Sequence, residues 1–551
     1  MARRPIRFWL LFLALLPAPV VAQEHAHSGH GNEKLGTVHF PTSCSAAAQP
    51  AFDRAVALLH SFEFAAAIES FEAARTADPA CAMTQWGVAL SRWSNPFAVG
   101  VRGTAQVQQG LAAVERARAI PAKTARERAY IDAVARLYEA ADGPDASQRA
   151  RAIPPQPVRV AAYRDAMAQL AKDYPDDTEA AIFYALSLTA AEDLSDKTYA
   201  SRLKAVGILE PLFVKQPEHP GLAHYIIHSC DVPALASRAL DAAKRYARIA
   251  PSAPHALHMP SHTFTRVGLW QESIDTNIES ASVARQQHVT AEELHATDYQ
   301  MYAYLQTGQD AAARRLLDSL PEIVSRFDPN GPSSAAPPSA GMFAAAAIPA
   351  RWALERGAWA EAAGLEARPG LPYTEALTHF ARALGAARTG DVARARAAVA
   401  ELETLRDRES QLNEPYWTQQ IEIQRRAAAA WLAFAEGRKA EALNEMRAVA
   451  GAEDRTEKAA VTPGPLAPAR EMLGDMLLAS DDPRGALKEF ETTLVKEPNR
   501  FRTLYGAAQA ATRAGDNAAA QRHAAQLAKI CERADTPGRR ELQEARAAAA
   551  R

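Results

Sequence analysis

Apolar and small residues recur along the chain at the spacing of paired helices. In residues 465–498 they lie where two antiparallel helices would pack on each other, and a proline ends the second helix: Leu473, Gly474, Leu477, Ala486, Phe490 and Pro498. The same spacing recurs at Ala67, Phe71, Ala74 and Pro79, and turn glycines follow at Gly308, Gly357, Gly390, Gly437 and Gly515. Further helices are predicted at 104–119, 123–140, 157–173 and 178–191. Strand signals are nearly absent, so an all-α fold is predicted.

These spacings resemble those of the tetratricopeptide repeat (TPR) family, whose unit is a helix–turn–helix of about 34 residues. The resemblance covers most of the chain after about residue 47 and is clearest at 465–535. It implies an α-solenoid in which the first helix of each unit (A) lines a concave groove and the second (B) faces outward. It also implies that a protein, a peptide or a small ligand binds in that groove.

A break rich in proline, serine and glycine, residues 328–342, is predicted to link two repeat arrays. The arrays then cover 47–327 and 343–535, preceded by a histidine-containing segment at 23–46. Residues 536–551 are predicted to be a tail, either helical or frayed.

The first 22 residues have the pattern of an export signal. Three arginines (Arg3, Arg4 and Arg7) precede an apolar stretch, and Val20, Val21 and Ala22 form a small-residue cleavage site. We therefore expect an exported protein, periplasmic if the source is a Gram-negative bacterium. No later stretch is long and apolar enough to span a bilayer.

Composition narrows the function classes. The chain is 48% hydrophobic and 23% charged, which is typical of a folded globular protein. Its net charge is −2, or −5 without the arginines of the signal, so no basic field favours nucleic acid.

Export makes a disulfide possible between Cys44 and Cys81. Cys44 precedes the first predicted helix, and Cys81 follows the second helix of the same hairpin. The two ends of an antiparallel hairpin meet, so we expect a bridge; the alternative is two free thiols. Cys230 and Cys531 have no evident local partner.

Histidine is concentrated between residues 219 and 295, in register with the repeat. His224 and His258 are 34 residues apart, as are His228 and His262. TPR grooves touch their ligands with a few defined positions of each A helix. In three successive A helices these positions form one stripe of mostly polar residues. They are Gly221, His224, His228 and Asp231 in the first helix, His255, His258 and His262 in the second, and His295, Asp298 and Tyr302 in the third.

This stripe predicts a transition-metal site. Histidine and carboxylate are the ligands that zinc, copper, nickel and non-haem iron take in proteins, and histidines four residues apart lie on one helix face. The predicted ligands are His224, His228, His255, His258, His262, His295 and Asp298, with Asp231 and Tyr302 as further groove residues. Pro260 is expected to interrupt the helix there. A hydrogen-bonding groove for another ligand and purely structural histidines remain as alternatives.

A second possible metal site lies at the predicted N-terminus of the mature chain. His25 is the third residue of that chain, after the free amine of Gln23, and His27 and His30 follow. Such a terminus suits Cu(II) or Ni(II), although cyclisation of Gln23 would block the amine.

The motifs of zinc proteases, covalent haem, serine hydrolases and phosphate loops are absent. The sequence thus favours an exported TPR scaffold with a histidine-rich groove. The alternative is a metalloprotein with hydrolytic or redox activity at the His224–Asp298 cluster.

Overall fold

The chain folds into α-helices that pair in succession along the sequence. A computed structural model describes residues 33–98, 102–139, 154–329, 334–412 and 414–550, and these ranges contain no β-strand. The helices are α1 (Gln49–His60), α2 (Phe64–Ala77), α3 (Ala82–Trp93), α4 (Thr104–Ala119), α5 (Ala125–Ala135), α6 (Gln156–Asp173), α7 (Thr178–Ala190), α8 (Ala200–Lys215), α9 (Pro220–Ser229), α10 (Leu240–Ile249), α11 (Pro254–His258), α12 (Pro260–Arg266), α13 (Trp270–Gln286), α14 (Thr290–Gln306), α15 (Asp310–Ser325), α16 (Pro338–Glu355), α17 (Trp359–Ala363), α18 (Pro372–Thr389), α19 (Val392–Ser410), α20 (Pro415–Ala435), α21 (Lys439–Asp454), α22 (Ala469–Ala479), α23 (Pro483–Lys496), α24 (Phe501–Ala514), α25 (Asn517–Ile530) and α26 (Arg540–Ala549). The all-α fold is confirmed.

Short polar side chains and glycines fix the helix boundaries. The side chains of five N-cap residues accept a hydrogen bond from a backbone N–H of the first turn: Thr124, Asp177, Asp391, Asp482 and Asp516. The five glycines predicted to mark turns all have φ between 64° and 84°. Gly390 and Gly515 are the residues that end α18 and α24, where a left-handed conformation favours glycine.

Close packing of aromatic rings on glycine holds the helix pairs together. A Cβ added at Gly474 would lie 2.8 Å from the ring of Phe490, which joins α22 to α23. In the first pairs, a Cβ at Gly87 would lie 2.2 Å from the ring of Phe71. Both rings are fully buried. The predicted helix-hairpin units of a TPR-like fold are thus present at both ends of the chain.

Residues Lys34–Arg551 form one compact unit with two large apolar cores. The first core draws on residues between 35 and 264, with Ala335, and the second on residues between 343 and 510. A third cluster joins α14 and α15 to α16 through Leu294, Ile348 and Trp352. Packing therefore continues across the predicted linker, and α16 begins inside it, at Pro338. The proposed two-array division stays a prediction.

Residues 455–502 fold back onto the histidine-bearing helices. Lys458 Nζ lies 3.1 Å from Asp231 Oδ2, and Trp270 Nε1 donates to the carbonyl of Asn499 at 2.8 Å. The guanidinium of Arg500 is buried between Glu355 and Glu471, each at 2.7 Å. The same part of the chain contacts α14, where Tyr299 Oη lies 3.2 Å from the carbonyls of Ala460 and Thr462 and the Phe501 N–H donates to Gln306 Oε1 at 2.9 Å.

The segments near both ends of the described residues are also packed. Cys44 and Cys81 form the predicted disulfide, whereas Cys230 and Cys531 are free and buried. Leu35 and Phe40 are buried in the N-terminal segment, and the predicted tail contains α26, which buries Leu542 and Ala545. The predicted signal peptide and the histidines at 25, 27 and 30 lie outside the described residues. None of the helices described is long and apolar enough to cross a membrane.

Candidate metal centre

Four short helical segments carry the six predicted histidine ligands. α9 carries His224 and His228, α11 carries His255 and His258, α12 carries His262, and α14 carries His295. α11 and α12 are separated only at Met259, because Pro260 has no N–H to donate to the carbonyl of Ala256. The predicted interruption is therefore present, and it lies between two of the ligands.

The six histidines form two adjoining groups of three. In each group, His224–His228–His255 and His258–His262–His295, one ligand atom per residue lies within 4.8 Å of the others. The rings of His228 and His262, one from each group, have centroids 6.0 Å apart. Each of the six residues exposes at most 5% of its surface. The sequence placed them along an open groove, but in the structure Phe62 and the segments 335–337 and 459–461 lie against them.

Hydrogen bonds to Nδ1 fix the tautomers of three of these rings. His258 Nδ1 lies 2.6 Å from Asn277 Oδ1, and Nδ2 of that amide donates to the Ser273 carbonyl. His262 Nδ1 lies 2.9 Å from Asp231 Oδ2, and His224 Nδ1 lies 2.6 Å from the His60 carbonyl. All three partners are acceptors, so Nδ1 carries the hydrogen. The lone pair is therefore on Nε2, as in histidines that bind metal through that atom.

Several buried ligand atoms lack a hydrogen-bond partner. They are Nε2 of His224 and His228, both ring nitrogens of His255, Nδ1 of His295 and Oε2 of Glu292. His258 Nε2 and His262 Nε2 face each other at 3.1 Å, and by the tautomers above neither carries a hydrogen. Tyr299 Oη is 3.4 Å from His262 Nε2 but is also within 3.2 Å of two carbonyl oxygens, those of Ala460 and Thr462. The cluster has more acceptors than donors.

Burial keeps the rings neutral. It lowers the pKa of His224, His228 and His258 well below the ordinary value. It lowers the pKa of His262 to about 4 and that of His295 to about 3. Neutral imidazole is the form that binds metal, so these five rings are ready ligands at neutral pH.

Asp231 belongs to the support of the cluster. Burial opposes its ionisation, but Lys458 and Arg266 hold the pKa of its carboxyl well below the ordinary value. Its two oxygens contact His262 and Arg266, at 2.9 Å and 2.8 Å. A carboxylate that orients a histidine in this way is typical of the surroundings of a metal ligand.

Two predicted site residues do not join the histidines. Asp298 is paired with Arg351 at 2.7 Å, and neither residue is exposed to solvent. Tyr302 accepts a hydrogen bond from Arg500 Nη1 at 3.1 Å. Both side chains therefore connect α14 to the rest of the fold, and the candidate ligand set narrows to the six histidines, with Glu292 beside them.

A third buried cluster escaped the sequence analysis. His60 Nε2 and His219 Nε2 each lie 2.9 Å from a different oxygen of Glu179. Burial alone would raise the pKa of Glu179, but His60 and His219 hold it far below its usual value. His60, His219 and Glu179 come from distant segments with no repeat register, so spacing gave no signal. Each oxygen of Glu179 already contacts a histidine. The cluster holds His60 in place, and the His60 carbonyl accepts the hydrogen bond from His224 Nδ1.

A cavity of about 40 Å³ reaches the histidines. It is lined by His228, His255, His262 and His295 and roofed by the segments 335–337 and 459–461. Tyr373 and Trp417 line it as well, and both also line a neighbouring cavity of about 270 Å³. A small ligand or water therefore has room beside the rings.

Comparison with known proteins adds no functional assignment. No protein-family model matches the chain, and no curated protein matches it. Among similar solved structures, one described as the APC/C hetero-tetramer Cut9-Hcn1 is 11% identical, with a TM-score of 0.28, over 92% of this chain and 97% of that chain. The P58(IPK) TPR domain is 11% identical, with a TM-score of 0.20, over 91% of this chain and 98% of that chain. The helix pairs and the buried histidines of this chain define an all-α, TPR-like protein with a candidate metal centre.

Proposed function

We propose that the protein binds transition-metal ions through its two groups of three histidines. The observation that carries the proposal is the set of six buried ligand atoms without a hydrogen-bond partner. Each unsatisfied buried polar group costs about 1–3 kcal/mol, and natural interiors contain few of them. Metal coordination would satisfy several at once.

The facing nitrogens of His258 and His262 support the same conclusion. Two lone pairs at 3.1 Å repel each other unless a donor or a cation lies near both. Two nitrogen ligands of one tetrahedral zinc, each about 2.0–2.1 Å from the metal, stand about 3.3 Å apart. Three neutral imidazoles per ion suit zinc and copper, with nickel and iron as further candidates.

A chemical role for the centre is the second candidate function. Three histidines leave a coordination position open for water or substrate, and the cavity supplies the space. Glu292 Oε2 has no hydrogen-bond partner and lies 3.8 Å from His255 Nδ1, so it could accept a proton from a bound water. Glu293 is unsuited to that task because Arg285 and Arg326 already bind its carboxylate.

Binding of a peptide along the histidine stripe, as in TPR scaffolds, receives less support. The segments 335–337 and 459–461 lie over the histidines, so a peptide has no open groove there. Binding of a protein partner at another surface of the helical array stays a proposal that follows from the TPR resemblance.

Elemental analysis of protein purified without a histidine tag tests metal binding. We expect close to two transition-metal ions per chain, and close to one in the His258→Ala/His262→Ala variant. His288→Asn is the matched control, because His288 is exposed and its positive φ suits asparagine. Replacing His25, His27 and His30 by serine should leave the content unchanged. Metal-free protein that gains no ion and no thermal stability on titration with zinc or copper would refute the proposal.

We propose further that the protein works in an oxidising compartment. The Cys44–Cys81 disulfide supports this, since structural disulfides persist in exported proteins and are rare in the cytosol. Fractionation of source cells into cytosol and exported fractions tests it, and recovery from the cytosol alone would contradict it.

A further inference from the structure

A cavity of about 110 Å³ lies beside the metal centre, between α20 and the segment 453–468. Four polar atoms of its lining residues are buried without a hydrogen-bond partner. They are two donors, Arg351 Nη1 and Gln420 Nε2, and two acceptors, Gln424 Oε1 and Glu457 Oε2. None of these atoms belongs to the candidate metal centre.

Other contacts hold two of these side chains in place. The Nε of Arg351 donates to Asp298 at 2.7 Å, and its Nη2 donates to Thr462 Oγ1 at 2.9 Å, which leaves only Nη1 free. Lys197 and Tyr199 use Oε1 of Glu457, at 2.8 Å and 2.7 Å, which leaves Oε2 free. Arg351 is fully buried and Glu457 is 8% exposed. The free atoms are therefore fixed in position.

The charges around the cavity have both signs. Five cationic residues line it, Arg266, Arg351, Lys458, Arg470 and Lys496, together with four acidic ones, Glu453, Asp454, Glu457 and Glu497. A balanced set of this kind disfavours a simple anion or a simple cation, because either would face like charges as well as opposite ones. A ligand that carries both a carboxylate and an ammonium group satisfies both.

Apolar rings form another part of the wall. Phe343, Phe380, Tyr373 and Trp417 line the cavity, and the last two stack with ring centroids 4.0 Å apart. Aromatic rings beside placed polar groups are typical of small-molecule sites.

We propose that this cavity binds a small zwitterion with an apolar side chain, of the class of the hydrophobic α-amino acids. Arg351 Nη1 and Gln420 Nε2 donate to its carboxylate. Glu457 Oε2 and Gln424 Oε1 accept from its ammonium group, and the rings contact its side chain. The site is independent of metal binding.

Isothermal titration of the full-length protein with L-leucine tests the proposal, with 4-methylpentanoate and 3-methylbutan-1-amine as single-charge analogues. We expect one L-leucine per chain and at least tenfold weaker binding of each analogue, because each lacks one set of charge-assisted hydrogen bonds. Gln420→Met and Gln424→Met should each weaken L-leucine binding roughly tenfold. Gln419→Met, an exposed neighbour on the same helix, should not.

Three results would overturn the proposal: no binding of L-leucine, equal affinity for the analogues, or unchanged affinity in both glutamine variants. The first would indicate that ordered water alone satisfies the free atoms. Metal content measured on the same samples keeps the two proposals distinct, since the glutamine variants should hold as much metal as the parent protein.

Discussion

At the residue scale, single hydrogen bonds decide which nitrogen each histidine offers. Asn277 fixes His258, Asp231 fixes His262, and the His60 carbonyl fixes His224. Sequence spacing found the six histidines but not the three orienting contacts, because Asn277 and His60 lie outside the histidine stripe and Asp231 was predicted only as a groove residue. It also included Asp298, whose carboxylate is instead neutralised by Arg351, 53 residues later in the chain.

Asn277→Ala should weaken metal binding at the second histidine group only. Without the acceptor at Nδ1, His258 can move its hydrogen to Nε2 and lose the lone pair that faces His262. Loss of such an orienting contact typically costs 10–100-fold in metal affinity. Competition with a chelator should therefore resolve one weakened and one unchanged site. Equal loss of metal affinity at both sites, or unchanged affinity at both, would contradict this assignment.

The metal-free protein should lose stability as the pH falls from about 6.5 towards 4. The pKa of His262 is lowered to about 4, so below its ordinary pKa of 6.5 the unfolded chain binds a proton that the folded protein does not. The lowered pKa values of His224, His228, His258 and His295 act in the same direction, and one pKa unit corresponds to about 1.4 kcal/mol. Thermal unfolding at pH 7 and pH 5 measures the loss, which should be smaller in His262→Leu. Equal melting temperatures at the two pH values would be inconsistent with neutral buried rings.

At the element scale, three of the four helix ranges predicted from the sequence agree closely with the structure, and the fourth, 123–140, is helical over Ala125–Ala135. The segments predicted at 104–119 and 178–191 correspond to Thr104–Ala119 and Thr178–Ala190. Helix periodicity and glycine turns are local signals, which explains this success. The predicted linker at 328–342 overlaps the start of α16, because Pro338 is a favourable first helical residue.

Phe490→Ala should destabilise the C-terminal helix pairs. The ring is fully buried against Gly474 and Gly506, and a large-to-small change at such a site costs about 3–5 kcal/mol. Val495→Ala is the matched control on the same helix, because Val495 is 81% exposed. The melting temperature should fall clearly in the first variant and stay nearly constant in the second. Similar values for both would show that the ring does not hold the pair.

Removal of the disulfide should loosen the first hairpin. Cys44 and Cys81 close a loop with a sequence separation of 37 residues, for which loop entropy gives about 4 kcal/mol. The Cys44→Ser/Cys81→Ser variant should melt at a lower temperature than the oxidised parent and should not respond to a reductant. A parent protein whose melting temperature is also insensitive to the reductant would contradict a stabilising bridge.

At the scale of the whole molecule, the decisive feature is the fold-back of residues 455–502 over α9 to α14. It turns a predicted open stripe into a buried cluster, through contacts such as Lys458 with Asp231. These contacts join residues 227 or more positions apart, so no repeat spacing signals them. For the same reason the cluster of His60, Glu179 and His219 could not be found from the sequence, whereas the 34-residue register led directly to the six candidate ligands.

Metal-loaded crystals examined by anomalous X-ray scattering at the absorption edge of the bound element would test the metal centre most directly. We predict two anomalous peaks, one among His224, His228 and His255 and one among His258, His262 and His295. Each peak should lie about 2.0–2.1 Å from the coordinating nitrogens. Crystals of the metal-treated protein with no peak at either group, or with peaks only at surface residues, would contradict metal binding by the buried histidines.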